Sequence, residues 1–204
     1  MALAYLLYFE NSGGATPEWT LSVNQTLGEL KPRVFRTGYD NSGAFTDLRP
    51  SCVDWDGDGD LDLFLGSAAG TVAYWRNIGT PSLANFTLET SANNPLRDVN
   101  VGGYSAPCCK DFNQDGLPDC VIGSTRYFFF KNSGKPNEPV FEESNPVDNP
   151  FYSLNQARSA VNTGVSLYLT PFCSLFDSDS KTDCIVGKSD GALQYLRYLT
   201  ISFE

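Results

Sequence analysis

Acidic side chains at tight, regular spacing are the residues in this chain best suited to chemistry. Asp54, Asp56, Asp58, Asp60 and Asp62 occupy alternate positions of one short stretch. Asp111, Asn113, Asp115 and Asp119 repeat the pattern further on, and Asp177, Asp179 and Asp183 give a weaker third copy. The three stretches hold 11 of the 24 acidic residues, so the net charge of −10 is concentrated in three loops. Carboxylates this close repel one another unless a cation neutralises them.

Calcium is the cation that the donor set predicts, because it takes about six to eight hard oxygen ligands, a backbone carbonyl often among them. In the first loop the expected ligands are Asp54, Asp56, Asp58 and Asp62, with the carbonyl of Asp60 and a sharp turn at Gly59. In the second they are Asp111, Asn113, Asp115 and Asp119, with the carbonyl of Leu117 and the turn at Gly116. The first loop offers one more carboxylate and is expected to bind more tightly. In the third, Leu175 takes the first ligand position and Ser180 replaces the turn glycine, leaving Asp177, Asp179 and Asp183 as a weaker site. Magnesium fits less well, since it keeps water and demands octahedral geometry. The competing reading of each loop is an Asp/Gly turn whose side chains bond their own backbone.

The elements that hold these loops form a repeat. Each loop runs into an apolar strand and a glycine: Leu63-Phe64-Leu65-Gly66, Cys120-Val121-Ile122-Gly123 and Cys184-Ile185-Val186-Gly187. An aromatic strand and a turn follow, as Tyr74-Trp75-Arg76-Asn77-Ile78-Gly79 and Phe129-Phe130-Lys131-Asn132-Ser133-Gly134. A copy stands earlier at Tyr8-Phe9-Glu10-Asn11-Ser12-Gly13, and a degenerate one at Tyr195-Leu196-Arg197-Tyr198. The Asn-x-Gly turns are expected to supply positive φ. A Pro and a Cys precede each loop, at 50 and 52, 107 and 109, and 171 and 173. Four short antiparallel strands per unit describe a β-propeller blade. The chain reads as all-β, with about three and a half blades: a second-half blade over 1–33, then units 34–92, 93–148 and 149–204.

At these residues the chain resembles the FG-GAP/VCBS repeat family, which includes the integrin α-subunit headpiece. The resemblance implies a propeller architecture, calcium in the loops between strands, and an extracellular or cell-surface setting. The family's usual seven blades exceed what this chain supplies.

Six cysteines in an acidic, β-rich chain suggest an oxidising compartment. Cys109 and Cys120 flank the second loop, and Cys173 and Cys184 the third, at the same separation. Each pair is a candidate bridge. Cys52 and Cys108 are left over as a candidate bridge between neighbouring blades. Buried free thiols are the alternative, and the adjacent Cys108 and Cys109 could exchange roles. Asn24 and Asn85 head Asn-x-Thr sequons, which carry glycans in a secreted eukaryotic protein. Trp55 and the Tyr74-Trp75 pair recur at equivalent positions and are expected in the core.

The chain has no histidine, which removes the commonest general base and argues against an enzyme. No basic face points to nucleic acid, and no apolar run is long enough to span a membrane. The expected role is adhesion or structural assembly with protein partners, through self-association or another extracellular protein. A half-blade at the start, and a last blade that ends after its aromatic strand, would leave strand edges open to head-to-tail pairing and a filament. A lectin-like propeller binding glycans, or an accessory propeller of a secreted polysaccharide-active enzyme, is the alternative.

Overall fold

The computed structural model describes residues 9–11, 19–21, 47–80, 84–90, 93–135, 138–146, 148–160 and 168–197, with backbone alone for 9–11, 19–21 and 158–160. Asn24, most of the expected half-blade over 1–33, and residues 198–204 lie outside them. Within 1–33, β1 (Phe9–Asn11) and β2 (Trp19–Leu21) form an antiparallel hairpin with Phe9 opposite Leu21.

Three antiparallel sheets carry the rest. The first is β3 (Arg49–Val53), β4 (Asp62–Gly66), β5 (Val72–Asn77) and β6 (Phe86–Leu88), paired in that order. The second is β7 (Ala106–Lys110), β8 (Asp119–Gly123), β9 (Tyr127–Asn132) and β10 (Phe141–Glu143). The third shows three strands among the described residues, β11 (Leu169–Ser174), β12 (Asp183–Lys188) and β13 (Leu193–Leu196). The Asp loops join the first and second strands of each sheet. The short apolar runs before each glycine become β4 and β8, which are buried at every position, as a strand covered on both faces requires.

The sheets stack face to face, with β3 against β7 and β7 against β11. Side chains alternate across each strand, so each sheet gives one face to each neighbour. Between the first two sheets, Trp55, Phe64 and Tyr74 meet Cys109, Cys120 and Ile122. Between the second and third, Cys108, Val121 and Phe129 meet Cys173, Cys184 and Val186. Each interface is closed by a wedge from the connecting chain, Leu96 in one and Phe151 in the other, both fully buried.

The same backbone clasp recurs at both interfaces. The Ser105 N–H donates to the Ser67 carbonyl at 2.9 Å, and the Leu169 N–H to the Ser124 carbonyl at 2.9 Å. The Cys109 N–H reaches Ser51 Oγ at 3.3 Å, and the Cys173 N–H reaches Cys108 Sγ at 3.2 Å. Gly66 and Gly123 let the sheets come this close. A Cβ on Gly66 would overlap the Ser105 carbonyl and sit 2.6 Å from Pro107 Cδ. One on Gly123 would overlap the Leu169 carbonyl and sit 2.5 Å from Pro171 Cδ. The prolines stand on first strands, at the sheet edge, where a missing N–H costs no ladder bond.

The all-β reading holds, with one helix among the described residues, α1 (Tyr152–Ala160), between the second and third sheets. Asn149 caps it, with Oδ1 accepting the Phe151 N–H at 2.8 Å, and Pro150 stands in the first turn, where its lost N–H is harmless. The Asn-x-Gly turns do not use positive φ. None of Asn77, Gly79, Asn132 and Gly134 has it; Gly57, Gly59, Gly70 and Gly116 are among those that do. Instead Asn77 Oδ1 accepts the Gly79 and Asn85 N–H groups at 3.0 and 2.9 Å. Asn132 Oδ1 does the same for Gly134 and Val140 at 3.1 and 3.3 Å.

Gly123→Ala should therefore strain the second interface, and the overlap with a backbone oxygen puts the cost near about 3 kcal/mol, the upper end for overpacking. Gly187→Ala is the control, because its Cβ would meet only the Thr170 carbonyl at 3.9 Å. Urea unfolding midpoints should fall for the first and hold for the second. Equal midpoints would remove the close approach as the reason for the glycine.

Candidate metal centre and cysteine pairs

The first Asp loop hangs between β3 and β4 and is shaped by its own side chains. Asp54 accepts the Gly57 N–H at 2.9 Å on one oxygen and the Gly59 N–H at 3.1 Å on the other. Asp56 Oδ1 accepts the Asp58 N–H at 3.3 Å, and Asp58 Oδ1 the Asp60 N–H at 2.9 Å. Gly57 and Gly59 stand at φ 75° and 92°, where a side chain would be strained. The loop so wound brings carboxylate oxygens of Asp54, Asp56 and Asp58 within 4.8 Å of one another. Arg76 Nη2 lies 2.6 Å from Asp56 Oδ2 and offsets part of the repulsion.

Asp60 is buried beside them, and its Oδ1 has no hydrogen-bond partner. Burial, then the Asp58, Asp54 and Asp56 charges, pushes its carboxyl above the usual range. Three converging carboxylates and an orphaned fourth oxygen fit a hard divalent cation with oxygen ligands.

Asp62, expected as a ligand, stands outside this convergence. It is fully buried, the first residue of β4, and turned into the sheet. Its Oδ1 accepts the Asn77 N–H at 2.7 Å; its Oδ2 accepts the Trp55 N–H at 3.2 Å and the Tyr74 hydroxyl at 3.0 Å. Burial outweighs these bonds and raises its pKa to about 6.

Asp119 and Asp183 hold the same place, both fully buried. Tyr195 donates to Asp183 Oδ2 at 2.6 Å, as Tyr74 does to Asp62. In the second sheet the matching residue is Phe129, opposite Val121 as Tyr74 is opposite Phe64. It has no hydroxyl. Asp119 Oδ1 still accepts the Asn132 N–H at 2.9 Å, but Oδ2 stays buried without a hydrogen bond. Burial accordingly raises this carboxyl further, to about 7.

The second loop is wound by Asp111, whose two oxygens accept the Asp115 and Gly116 N–H groups at 3.2 and 2.9 Å. Asn113 Nδ2 donates to Asp115 Oδ2 at 2.7 Å, and the Leu117 N–H to Asp115 Oδ1 at 2.9 Å. In the third loop Asp177 accepts the Asp179 N–H at 3.0 Å and faces Arg197 at 3.4 Å, which together hold its carboxyl low. Ser180 takes φ 61° in place of glycine. Among the described residues, only the first loop draws three acidic groups together. Gln114 ties the second loop to the third, donating to the Ser180 carbonyl at 2.8 Å.

Residues 54–122 match the family model of the FG-GAP-like repeat. Over that stretch the chain is similar to an FG-GAP-like repeat. The match starts at the first ligand position of one loop and runs through the second into β8. The FG-GAP-like segment thus spans the first sheet–sheet interface and its Gly66 clasp. No curated protein and no solved structure matches the chain.

Disulfides join Cys109 to Cys120 and Cys173 to Cys184. Each pair is in direct register across its first two strands. Cys52 and Cys108 are not bridged, which corrects the expected third pair. Ser51 faces β7, so its neighbour Cys52 points to the opposite face, beside Leu63. Cys108 points the other way, onto β11, where the Cys173 N–H donates to it. The two thiols look away from each other across the first interface.

A second repeated motif went unread in the sequence. Asn94-Pro95-Leu96 and Asn149-Pro150-Phe151 stand at the starts of units 93–148 and 149–204, after β6 and β10. Each Asn donates to the carbonyl that opens an aromatic strand, Val72 at 2.9 Å and Tyr127 at 3.4 Å. The motif was available as a second copy at the spacing that already relates Asn77 to Asn132.

Two outcomes follow from this geometry. A carboxyl whose pKa is raised on folding stabilises below its unfolded value near 3.8, and that contribution is lost as pH rises through the folded value. With chelator present, thermal midpoints should fall between pH 5 and 8, and Asp119→Asn or Phe129→Tyr should flatten the fall. Unchanged slopes would remove Asp119 as its source. For the cysteines, a non-reduced, denatured chain should titrate two thiols, with Cys108 unreactive until unfolding. Six thiols, or none, would contradict the pairing.

Proposed function

We propose that the chain is a non-catalytic recognition and assembly module of extracellular proteins, stabilised by calcium and acting through its stacked β-sheets. The observation that carries this reading is the convergence of Asp54, Asp56 and Asp58 beside the orphaned Asp60 oxygen, on a repeat whose sheets pack by one recurring interface. A calcium ion would be held by these carboxylates and the Asp60 carbonyl. It would tie the loop between β3 and β4 and relieve the carboxylate repulsion that Arg76 offsets only in part.

The setting agrees with this. Two disulfides suit an oxidising compartment, and no helix among the described residues is long and apolar enough to cross a membrane. Asn85 is exposed, so its sequon is open to glycosylation. The partner is a protein, either this chain or another extracellular one.

Calorimetric titration with calcium should show binding to the intact chain. Saturation should raise the unfolding free energy, by about 2.7 kcal/mol at a hundredfold excess over Kd. Asp54→Asn combined with Asp58→Asn should abolish both effects without unfolding the sheets. A chain that neither binds calcium nor gains stability from it would end this reading.

A further inference from the structure

β3, β7 and β11 begin at the end of the stack opposite their Asp loops. Asp47, Tyr104 and Tyr168 hold one place there, each three residues before the proline of its strand. The Tyr104 and Tyr168 ring centroids are 4.1 Å apart. Arg49, the first residue of β3, sets its guanidinium 5.5 Å from the centre of the Tyr104 ring, within reach of a cation–π contact. Three successive sheets thus meet in one Arg–Tyr–Tyr row, with all three residues half-buried. The Tyr104 backbone is strained to join it. Its φ is 50°, after Gly102 at 81° and Gly103 at 140°. Asp47 takes φ 56° at the matching place, so the turn belongs to the repeat, and aspartate tolerates it. A bulky ring in that conformation is an outlier of the kind that clusters at binding sites.

Arg49 is held in place but not neutralised. Its Nη1 donates to the Asp47 carbonyl at 3.1 Å. Among the arginines whose side chains are described, Arg76, Arg97, Arg126 and Arg197 each face a carboxylate; Arg49 faces none. Arg126 shows what a ring-stacked guanidinium in this chain does with its free edge. It lies 3.8 Å from the centre of the Phe128 ring, and its Nη2 meets Glu143 Oε1 at 3.1 Å. Arg49 has the ring and lacks the acid. The Tyr104 and Tyr168 hydroxyls beside it have no hydrogen-bond partner among the described residues.

We propose that this row binds the acid group of an anionic sugar, a uronate carboxylate or a sugar sulfate, within an extracellular polysaccharide. A guanidinium edge takes such an oxyanion through paired N–H donors, and the two tyrosine hydroxyls are left for the hydroxyls of the same sugar. The rings stack on one another, so the row offers donors more than flat apolar area. Its surroundings are small and polar. Gly102 and Gly103 precede Tyr104, the Ala68 carbonyl accepts the Tyr104 N–H at 3.1 Å, and Ser189 Oγ accepts the Tyr168 N–H at 3.0 Å. A protein contact is centred on apolar anchors in a water-excluded patch; this setting suits a hydrated sugar chain instead. The acidic loop does not repel the ligand. β3 is five residues long, roughly 16 Å at about 3.3 Å per residue, which exceeds the Debye length of about 8 Å at physiological salt. The site adds a glycan to the protein contacts proposed above and does not depend on calcium.

Titration calorimetry of the full chain tests it, with a tetramer of galacturonic acid, the methyl ester of that tetramer and a sulfated neutral tetrasaccharide as probes. Chelator is present throughout, so that calcium cannot bridge a sugar acid to the Asp loops. The acid or the sulfate should bind at least about tenfold more tightly than the uncharged ester, as loss of a charged hydrogen bond implies, and the tighter of the two assigns the anion. Arg49→Gln should weaken that binding by at least about tenfold with unchanged circular dichroism. Tyr104→Asn, which suits the φ of 50° and removes the ring, should weaken it too. No binding of either anionic sugar, equal binding of the ester, or an affinity that survives both substitutions would overturn the proposal. Binding in chelator, set beside a failed calcium titration, would separate this site from the calcium reading.

Discussion

A buried carboxylate at the end of each Asp loop is the constraint on which the units depend. Asp62 joins the loop start, through the Trp55 N–H, to the end of β5, through the Asn77 N–H and the Tyr74 hydroxyl. One side chain thereby fixes where the loop closes, where the aromatic strand lies and where the next turn begins. Such a group is costly to bury and stays only where donors surround it. Asn77 then carries the constraint outward. Its N–H serves Asp62, its side-chain oxygen gathers the Gly79 and Asn85 N–H groups, and its amide reaches the Leu61 carbonyl at 3.3 Å. The second unit keeps this arrangement with Asp119 and Asn132 but lacks the tyrosine, and its carboxyl is the more strongly raised of the two.

Stacking is a separate constraint, met by absence of bulk. Gly66 and Gly123 are needed because a neighbouring carbonyl occupies the space of a Cβ. Each is followed by a serine whose carbonyl receives the next sheet's N–H. Directional bonds and close backbone approach set the position of one sheet on the next. The aromatic and cysteine side chains behind them supply apolar burial, which is the larger and less directional contribution.

Much of this was legible in the sequence, because it repeats. The loop–strand–glycine order located β4, β8 and β12, and equal spacing picked out the cysteines that stand in register. The fate of Asp62 was not legible. It continues the alternation of the ligand residues, yet as the first residue of β4 it obeys the pleat of the strand. Cys52 and Cys108 were misread for a related reason. Adjacent strand residues face opposite ways, so once Cys109 faces the first sheet, Cys108 must face the third. The helix was obscured by surrounding strand patterns, although an Asn-Pro start and a run of Leu, Gln, Arg and Ala are ordinary helix signals.

The third unit keeps part of the repeat and departs from it elsewhere. It has lost the first ligand position to Leu175, the loop glycine to Ser180 and the small acceptor to Phe172. It has kept the buried Asp183, its tyrosine donor and the disulfide. What remains is the machinery that holds one sheet together and seats it on the sheet before. What is gone is the small side-chain acceptor and part of the ligand set of its loop, while Gly187 keeps the place of Gly66 and Gly123.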